Sequence, residues 1–219
     1  MKKILFALTS VTVFIAALLI TGCNKDDATP PRMTMNGDNP LTIYLNAPFT
    51  DPGVTAEDNE DGTISVTSDA SVTNPDINKA GIYYINYSVT DGAGNKSIMR
   101  RNVLVKNNAE SLSAAYNVTG TCNSAFTDGI ISSTTVNNRI TFTQFGRHTN
   151  ALGKLNADID FVSSTVTIVP DSFICGTIPV MRSFSGGGAL SFTGDTLVIS
   201  SVETTASGVT NCSYTYIRQ

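Results

Sequence analysis

Short runs of alternating apolar and polar residues fill most of the chain after residue 32, and they predict an all-β protein. The clearest run, residues 83–89, puts Tyr83, Ile85, Tyr87 and Val89 on one face, as expected for a strand with one buried side. Residues 91–95, with two glycines, then lead into a second apolar run, which predicts a hairpin. No segment of this part of the chain keeps a convincing helical period.

Residues 111–219 hold eight to ten further short strands of this kind. Their number and spacing predict a second antiparallel domain, either a barrel or a curved sandwich. Three consecutive glycines, residues 186–188, lack the Lys-Ser/Thr that completes a phosphate-binding loop, so we expect a bulge or sharp bend between two separate strands there. The polar residues 107–110 mark the boundary after a first domain at residues 33–106.

The longest apolar stretch lies at the N-terminus, where residues 4–20 follow two lysines and precede Gly22 and Cys23. This order is typical of an export signal. Residues 1–22 resemble the signal peptide of bacterial lipoproteins, and the resemblance implies that Cys23 carries lipid, such as palmitate. A membrane-spanning helix or a plain secretory signal is the alternative, but the run is shorter than the ~20 residues that a spanning helix needs.

Lys25, Asp26 and Asp27 follow this cysteine. They resemble the signal that some Gram-negative bacteria use to place lipoproteins on the outer face of the outer membrane, and the resemblance implies an anchored protein facing the cell surface. The alternative is the solvated start of a linker. Residues 23–32 are polar and contain prolines, which predicts a flexible, lipidated tether.

The charge balance argues against nucleic acid as a partner. The chain has 14 Lys and Arg against 18 Asp and Glu, a formal net charge of −4, and nucleic-acid binding requires a basic surface. Charged residues make up 15% of the chain, whereas about 25% is usual. This composition is typical of extracellular β-structure.

Ordered motifs in the first domain carry a second resemblance. They are residues 49–56, 58–62, 80–83, 87–91 and 94–95. Together they resemble the immunoglobulin-like domain repeated in bacterial surface proteins, and a related module occurs in an insecticidal crystal protein. The resemblance implies an Ig-like β-sandwich over residues 33–106 but no particular activity. Gly81 and Tyr83 resemble a tyrosine corner, in which the phenol bonds to upstream backbone.

Four acids lie close together in one loop of this domain: Glu57, Asp58, Glu60 and Asp61. Their carboxylates make calcium a candidate ligand. The spacing departs from an EF-hand loop because no Glu occupies the twelfth position. The simpler interpretation is a solvated turn, so we predict no metal and no other cofactor.

The cysteines other than Cys23 are Cys122, Cys175 and Cys212, so at most one intrachain disulfide forms. We favour Cys122 with Cys212, since both lie on β-like segments near opposite ends of the second domain. That pairing leaves Cys175 as a buried thiol. The pairs Cys122–Cys175 and Cys175–Cys212 remain alternatives.

No catalytic residues are predicted. His148 is the only histidine, and its polar surroundings predict an exposed loop residue. Asp158 and Asp160 share one strand face and resemble the carboxylate pair of glycosidases, but solvent-facing alternation explains them more simply.

The sequence therefore favours a non-enzymatic binding or structural component of the cell envelope. The Ig-like domain would be a spacer for the C-terminal domain, which loosely resembles lipocalin-like β domains. A glycan or an envelope protein is the expected partner besides the membrane, and the loop residues offered for it are Phe126, Phe145, Arg147, His148 and Asn150. The alternative is a secreted hydrolase or an accessory to a carbohydrate-active enzyme.

Overall fold

A computed structural model describes residues 27–71, 73–148, 154–175 and 179–219. These residues form sixteen β-strands and two short 3₁₀ helices, which confirms the all-β prediction. Within these four ranges, no helix is long and apolar enough to span a membrane. The predicted signal peptide, Cys23, Lys25 and Asp26 lie outside the described residues.

The Ig-like region contains seven strands: β1 (Arg32–Met35), β2 (Leu41–Tyr44), β3 (Val54–Asp58), β4 (Gly62–Ile64), β5 (Thr67–Ser68), β6 (Gly81–Thr90) and β7 (Lys96–Lys106). They form one sheet in the order β1-β3-β4 and another in the order β2-β7-β6-β5. Strand β2 lies parallel to β7.

The local features expected in this region are present. Ile85, Tyr87 and Val89 are buried on β6, and residues 91–95 connect β6 to β7 as the predicted hairpin loop. The Tyr83 hydroxyl donates a hydrogen bond to the Lys79 carbonyl at 2.8 Å, which confirms the tyrosine corner.

Spatial proximity divides the chain into two compact units. The described part of the first unit comprises residues 27–36, 53–68 and 87–99, and the second unit comprises residues 37–52, 69–86 and 100–219. The division passes through β6 and β7 and so differs from the domain boundary expected at residues 107–110, which stays a prediction.

The remaining nine strands lie in the second unit: β8 (Ala114–Gly120), β9 (Phe126–Ser132), β10 (Arg139–Phe142), β11 (Leu155–Asp160), β12 (Thr165–Ile168), β13 (Asp171–Cys175), β14 (Val180–Leu190), β15 (Thr196–Thr205) and β16 (Gly208–Arg218). The sheet order is β12-β11-β10-β9-β8-β16-β15-β14-β13, and β12 also pairs with β14. That pairing closes an eight-stranded antiparallel barrel and leaves β13 as an extra strand on β14. Of the two predicted shapes, the structure is the barrel.

The glycines at residues 186–188 make this closure possible. They lie within one strand, β14, whose pairing with β15 is unbroken from Ser183 to Leu190, while Gly187 and Gly188 also pair with β12. A Cβ at Gly188 would lie 1.8 Å from the Val198 carbonyl oxygen. The predicted break between two strands is therefore wrong, because the glycines instead allow close backbone approach on both sides of a single strand.

Side chains fill the interior of the barrel. Tyr116, Phe142, Phe145, Tyr214 and Tyr216 are all buried there, and the rings of Phe142 and Tyr216 lie 5.2 Å apart. A barrel of eight strands has an interior just wide enough for its own side chains. Because these side chains occupy the interior, an end of the barrel or its surface is the place for a ligand.

A disulfide and a buried hydrogen bond between Asp128 and Tyr216 link strands of the barrel. Cys122 and Cys212 form a disulfide with Cα atoms 5.5 Å apart, the pairing favoured from the sequence, and Cys175 is a free, buried thiol. Asp128 is 1% exposed. Its Oδ2 accepts a hydrogen bond from the Tyr216 hydroxyl at 3.1 Å.

Asn107, directly after β7, makes a third polar contact with the barrel. Its side chain is buried. The Nδ2 group donates to the carbonyls of Ser133, Val136 and Arg139. The Oδ1 atom accepts from the backbone N–H groups of Ala109 and Asn138. Every hydrogen-bonding group of this buried amide therefore has a partner.

Candidate functional site

One end of the barrel gathers the polar groups that the interior excludes. At this end, residues 121–125, 143–154, 176–179 and 206–207 connect the strands, and residues 149–153 and 176–178 of these loops lie outside the described residues. The chain enters the barrel at the opposite end, through β8. We call the end with these four connections the distal end.

An ion-pair network lies at the distal end. Glu203 on β15 pairs through Oε1 with Nη1 of Arg182 on β14, and its Oε2 lies 3.3 Å from Nε2 of His148. The antiparallel register that places Phe184 opposite Glu203 brings these strands together. The side chains of Glu203 and His148 are 13% and 15% exposed, so the three groups form a partly buried cluster.

Aromatic rings form the floor beneath this network. The His148 ring lies 5.7 Å from that of Phe184, and Phe173 stacks on Phe184 at 5.1 Å. Phe145 contacts Phe184 edge to face at 6.0 Å. The imidazole of the network therefore rests on the packed aromatic interior.

Two clefts lie beside β14 and share Ser183 and Thr204, and Arg182 lines the larger of them. One has a volume of about 720 Å³ and is lined by residues 180–183 and 204–207. The other has a volume of about 400 Å³ and is lined by residues 170–172, 183–185 and Thr204. Hydroxyl groups line both clefts, with the Arg182 guanidinium in the larger and the Asp171 carboxylate in the smaller, a combination suited to binding a hydrogen-bonding ligand.

Cys175 lies close to this network without supplying a nucleophile. Burial raises the pKa of its thiol, and the nearby Glu203 carboxylate acts in the same direction, against the Arg182 guanidinium. The Cys175 carbonyl accepts a hydrogen bond from Arg182 Nε at 3.4 Å. Since the thiolate is the reactive form, the neutral thiol here has a packing role.

The loop residues that the sequence offered for ligand binding differ in how exposed they are. Phe145 is buried in the core, and Phe126 is half-buried against Tyr214. Arg147 is exposed and donates to the Ser124 hydroxyl at 2.6 Å. Asn150 lies outside the described residues.

The expectation that His148 is an exposed loop residue is wrong. Gly146, at φ +62°, allows the loop to turn so that the imidazole packs on Phe184 and reaches Glu203. Sequence reasoning missed Arg182 and Glu203 altogether. The available signal was that Glu203 is the only charged residue of the apolar strand β15.

The two carboxylates considered for glycoside hydrolysis have structural partners. Asp158 forms a two-pronged pair with Arg139, at 2.7 Å and 2.8 Å. Asp160 accepts hydrogen bonds from the Ser163 hydroxyl and from the backbone N–H groups of Val162 and Ser163. These bonds, the hydroxyl bond most of all, lower its pKa. Each carboxylate therefore stabilises its own hairpin.

In the acidic loop, the structure brings together a different set from the one considered. Asp58 lies with Asp27 and Asp91, one carboxylate oxygen of each being within 4.8 Å of the others. Glu57, Glu60 and Asp61, the other residues considered for calcium, are not members of this group. The three aspartates are far apart in sequence, so no spacing rule could have joined them.

Comparison with known proteins identifies the first of the two β regions. Residues 33–105 match the model of the bacterial surface protein Ig-like domain. This part of the chain is therefore an immunoglobulin-like domain of the type found in bacterial surface proteins, as the sequence motifs had implied. The match ends before the barrel begins.

Solved structures add more distant likenesses. The lipoprotein BT2262 from Bacteroides thetaiotaomicron is 16% identical, with a TM-score of 0.35, over 86% of this chain and 100% of that one. The M60 catalytic domain with two CBM51 domains from Clostridium perfringens ZmpB is 14% identical, with a TM-score of 0.27, over 86% of this chain and 21% of that one. These TM-scores are too low to indicate a shared fold. No curated protein matches the chain.

Proposed function

We propose that this protein is a lipid-anchored component of the outer membrane that faces the cell surface and binds a small polar ligand, such as a glycan, at the distal end of its barrel. The protein acts by binding and not by catalysis. The single observation that carries the binding role is the partly buried Arg182–Glu203–His148 network beside two open clefts.

Three features support the anchoring part of this proposal. Lys2 and Lys3, the apolar residues 4–20 and the Gly22-Cys23 pair occur in the order of a lipoprotein signal. The Ig-like domain belongs to a type found in bacterial surface proteins. Lipid chains attached at Cys23 would hold the protein at a membrane without a spanning helix.

The distal end supports binding because its polar groups are ordered before any ligand arrives. Arg182 is fixed by Glu203 and by the Cys175 carbonyl, and a planar guanidinium held in this way presents its remaining N–H groups in a defined direction. Ser183, Thr204 and Ser207 add hydroxyl groups to the larger cleft. Sugars are recognised by such fixed hydrogen-bonding groups.

The chemistry of the site also supports a non-enzymatic role. The thiol beside the network is neutral, and Asp158 and Asp160 are engaged in hairpin contacts. Hydrolysis of a glycoside or ester that disappears in a Glu203→Gln variant would overturn this part of the proposal.

Metabolic labelling with a fatty-acid analogue tests the anchor. The wild-type chain should take up label and sediment with the outer membrane, whereas Cys23→Ala should do neither. Protease treatment of intact cells should cut the wild type if it faces outward. An unlabelled wild-type chain would overturn the anchor.

A glycan array probed with the full chain tests the ligand class. Arg182→Ala should abolish the signal for a glycan bound in the larger cleft, because it removes the ordered donor that lines that cleft. Arg218→Ala is the matched control. Arg218 lies at the end of β16 that is opposite to the distal end of the barrel, and it pairs with Asp195. Equal loss in both variants, or no bound glycan at all, would contradict the proposed site.

A further inference from the structure

The first unit holds three carboxylates that converge from distant parts of the chain. Asp27 precedes β1, Asp58 ends β3, and Asp91 opens the loop between β6 and β7. One oxygen of each lies within 4.8 Å of the other two. Like charges at this spacing repel one another, so the arrangement requires a stabilising partner.

Hydrogen bonds fix these three segments against each other. Asn95 donates its Nδ2 group to the Asp27 carbonyl at 3.0 Å and to Asp91 Oδ2 at 2.9 Å. The N–H of Gly92 donates to Asp61 Oδ2, which ties the loop after Asp58 to the loop after Asp91. The carboxylates are therefore held in place by the surrounding backbone.

One carboxylate oxygen of Asp58 has no hydrogen-bond partner among the described residues. Asp58 Oδ1 accepts hydrogen bonds from the N–H groups of Glu60 and Asp61, at 3.0 Å and 3.1 Å. Asp58 Oδ2 is buried from solvent and accepts none. A buried carboxylate oxygen left without a donor is costly, and a bound cation would remove that cost.

The electrostatic surroundings point the same way. Asp91 is 7% exposed, and its two carboxylate oxygens accept hydrogen bonds from the backbone N–H and the Nδ2 group of Asn95. Among the ion pairs of the described residues, none joins a Lys or Arg to Asp27, Asp58 or Asp91.

We propose that Asp27, Asp58 and Asp91 bind a calcium ion. Calcium accepts flexible sets of oxygen ligands at about 2.3–2.6 Å, whereas magnesium demands a near-ideal octahedron and dehydrates reluctantly. The oxygen separations, all within 4.8 Å, lie inside the range that calcium accepts. Water would complete the coordination sphere.

Calcium at this site would link the segment before β1 to the rest of the first unit. Asp27 lies four residues after Cys23, so calcium would hold the segment that follows the proposed anchor. Calcium binding does not depend on lipid attachment, and the purified full chain tests it whether or not the anchor proposal holds.

Calcium titration of the full chain, purified in detergent and freed of metal with a chelator, tests the site. The melting temperature should rise and saturate, with a dissociation constant of about 10⁻⁴ to 10⁻³ M, the range of extracellular calcium modules. Magnesium should give a smaller shift at the same concentration. A wild-type melting temperature that calcium does not change would overturn the proposal.

Two conservative variants identify the ligands. Asp58→Asn keeps the Oδ1 acceptor for Glu60 and Asp61, and Asp27→Asn keeps the acceptor for the Thr29 N–H, so both should fold. Each should weaken calcium binding by about tenfold or more, because one charged ligand is lost.

Glu60→Gln is the matched control, since it removes one negative charge from the same loop but none from the group of three. Its calcium affinity should equal that of the wild type. Equal weakening in Glu60→Gln and Asp58→Asn would mean that calcium responds to the general acidity of the loop, and would overturn the assigned site.

Discussion

The barrel and the first unit treat buried carboxylate oxygens in opposite ways. Asp128 in the barrel accepts hydrogen bonds from the Thr143 N–H and hydroxyl, the Gln144 N–H and the Tyr216 hydroxyl. Asp58 in the first unit leaves Oδ2 without a donor. The difference teaches that a satisfied buried acid is part of the fold, whereas an unsatisfied one beside other acids marks a binding site.

The largest effect should come from removing the covalent link in the barrel. The Cys122–Cys212 disulfide closes a loop of 90 residues, and the chain-entropy model gives roughly 4–5 kcal/mol for such a loop. Replacing both cysteines with serine should lower the free energy of unfolding by up to about that amount, measured in urea. The same loss of stability should appear with and without calcium. A loss that calcium reverses would contradict the contrast between the barrel and the first unit.

Asp128→Ala should have the next largest effect. It leaves buried donors, including the Tyr216 hydroxyl, without an acceptor, which should cost roughly 3 kcal/mol. Urea unfolding measures the loss, and Asp160→Ala on an exposed hairpin serves as the control. Equal losses in the two variants would show that Asp128 is no more important to the fold than an exposed turn residue.

The pH dependence of stability should separate Asp128 from Asp91. Burial raises the pKa of Asp128, despite opposing hydrogen bonds from Thr143, Gln144 and Tyr216. A raised folded-state pKa favours folding below the unfolded value of about 3.9, and this contribution is lost as the pH rises through the folded value. The wild type should therefore gain stability relative to Asp128→Asn as the pH falls through the folded-state pKa of Asp128.

Asp91 should behave in the reverse sense. Its lowered pKa contributes stability above about pH 3.9 that is lost as the pH falls through the folded value. The wild type should lose stability relative to Asp91→Asn below that pH. Unfolding curves at a series of pH values check both signs, and the same sign for both aspartates would contradict the pKa directions.

The smallest effect should come from Asp58→Asn without calcium. The asparagine keeps both turn hydrogen bonds and removes one of three repelling charges, so a stabilisation of no more than about 0.5 kcal/mol is expected. With saturating calcium the sign should reverse. Thermal unfolding under the two conditions measures this change of sign, and a variant destabilised equally in both would place Asp58 with Asp128 as a purely structural acid.

The sequence predicted those features that depend on neighbouring residues. The alternation around Ile85 indicated a buried face, the glycines of the 91–95 loop indicated a hairpin, and Gly81 with Tyr83 indicated a tyrosine corner. Each follows from strand period or turn chemistry, which act over a few residues. The preferred disulfide was also the one observed, since Cys122 closely follows β8 and Cys212 lies on β16, and these two strands pair.

The features that the sequence did not predict depend on register between distant strands. Arg182 and Glu203 meet because β14 and β15 pair in one register, and His148 reaches them only after a turn at Gly146. Asp27 and Asp91 join Asp58 for the same reason. The glycines of β14 indicated a break when considered alone, because their role depends on a second strand, β12, that approaches from the other side.

Asn107 has a consequence for the evolution of this chain as an assembly of modules. The Ig-like match ends at residue 105 and β7 ends at Lys106, while the next side chain is already hydrogen-bonded to barrel backbone. A gene fusion that joined a different surface domain to this barrel would have to keep Asn107 with the barrel. An exchange point placed after Asn107 would separate this amide from the barrel backbone that it bonds, although the polar stretch in the sequence suggests a freely exchangeable joint.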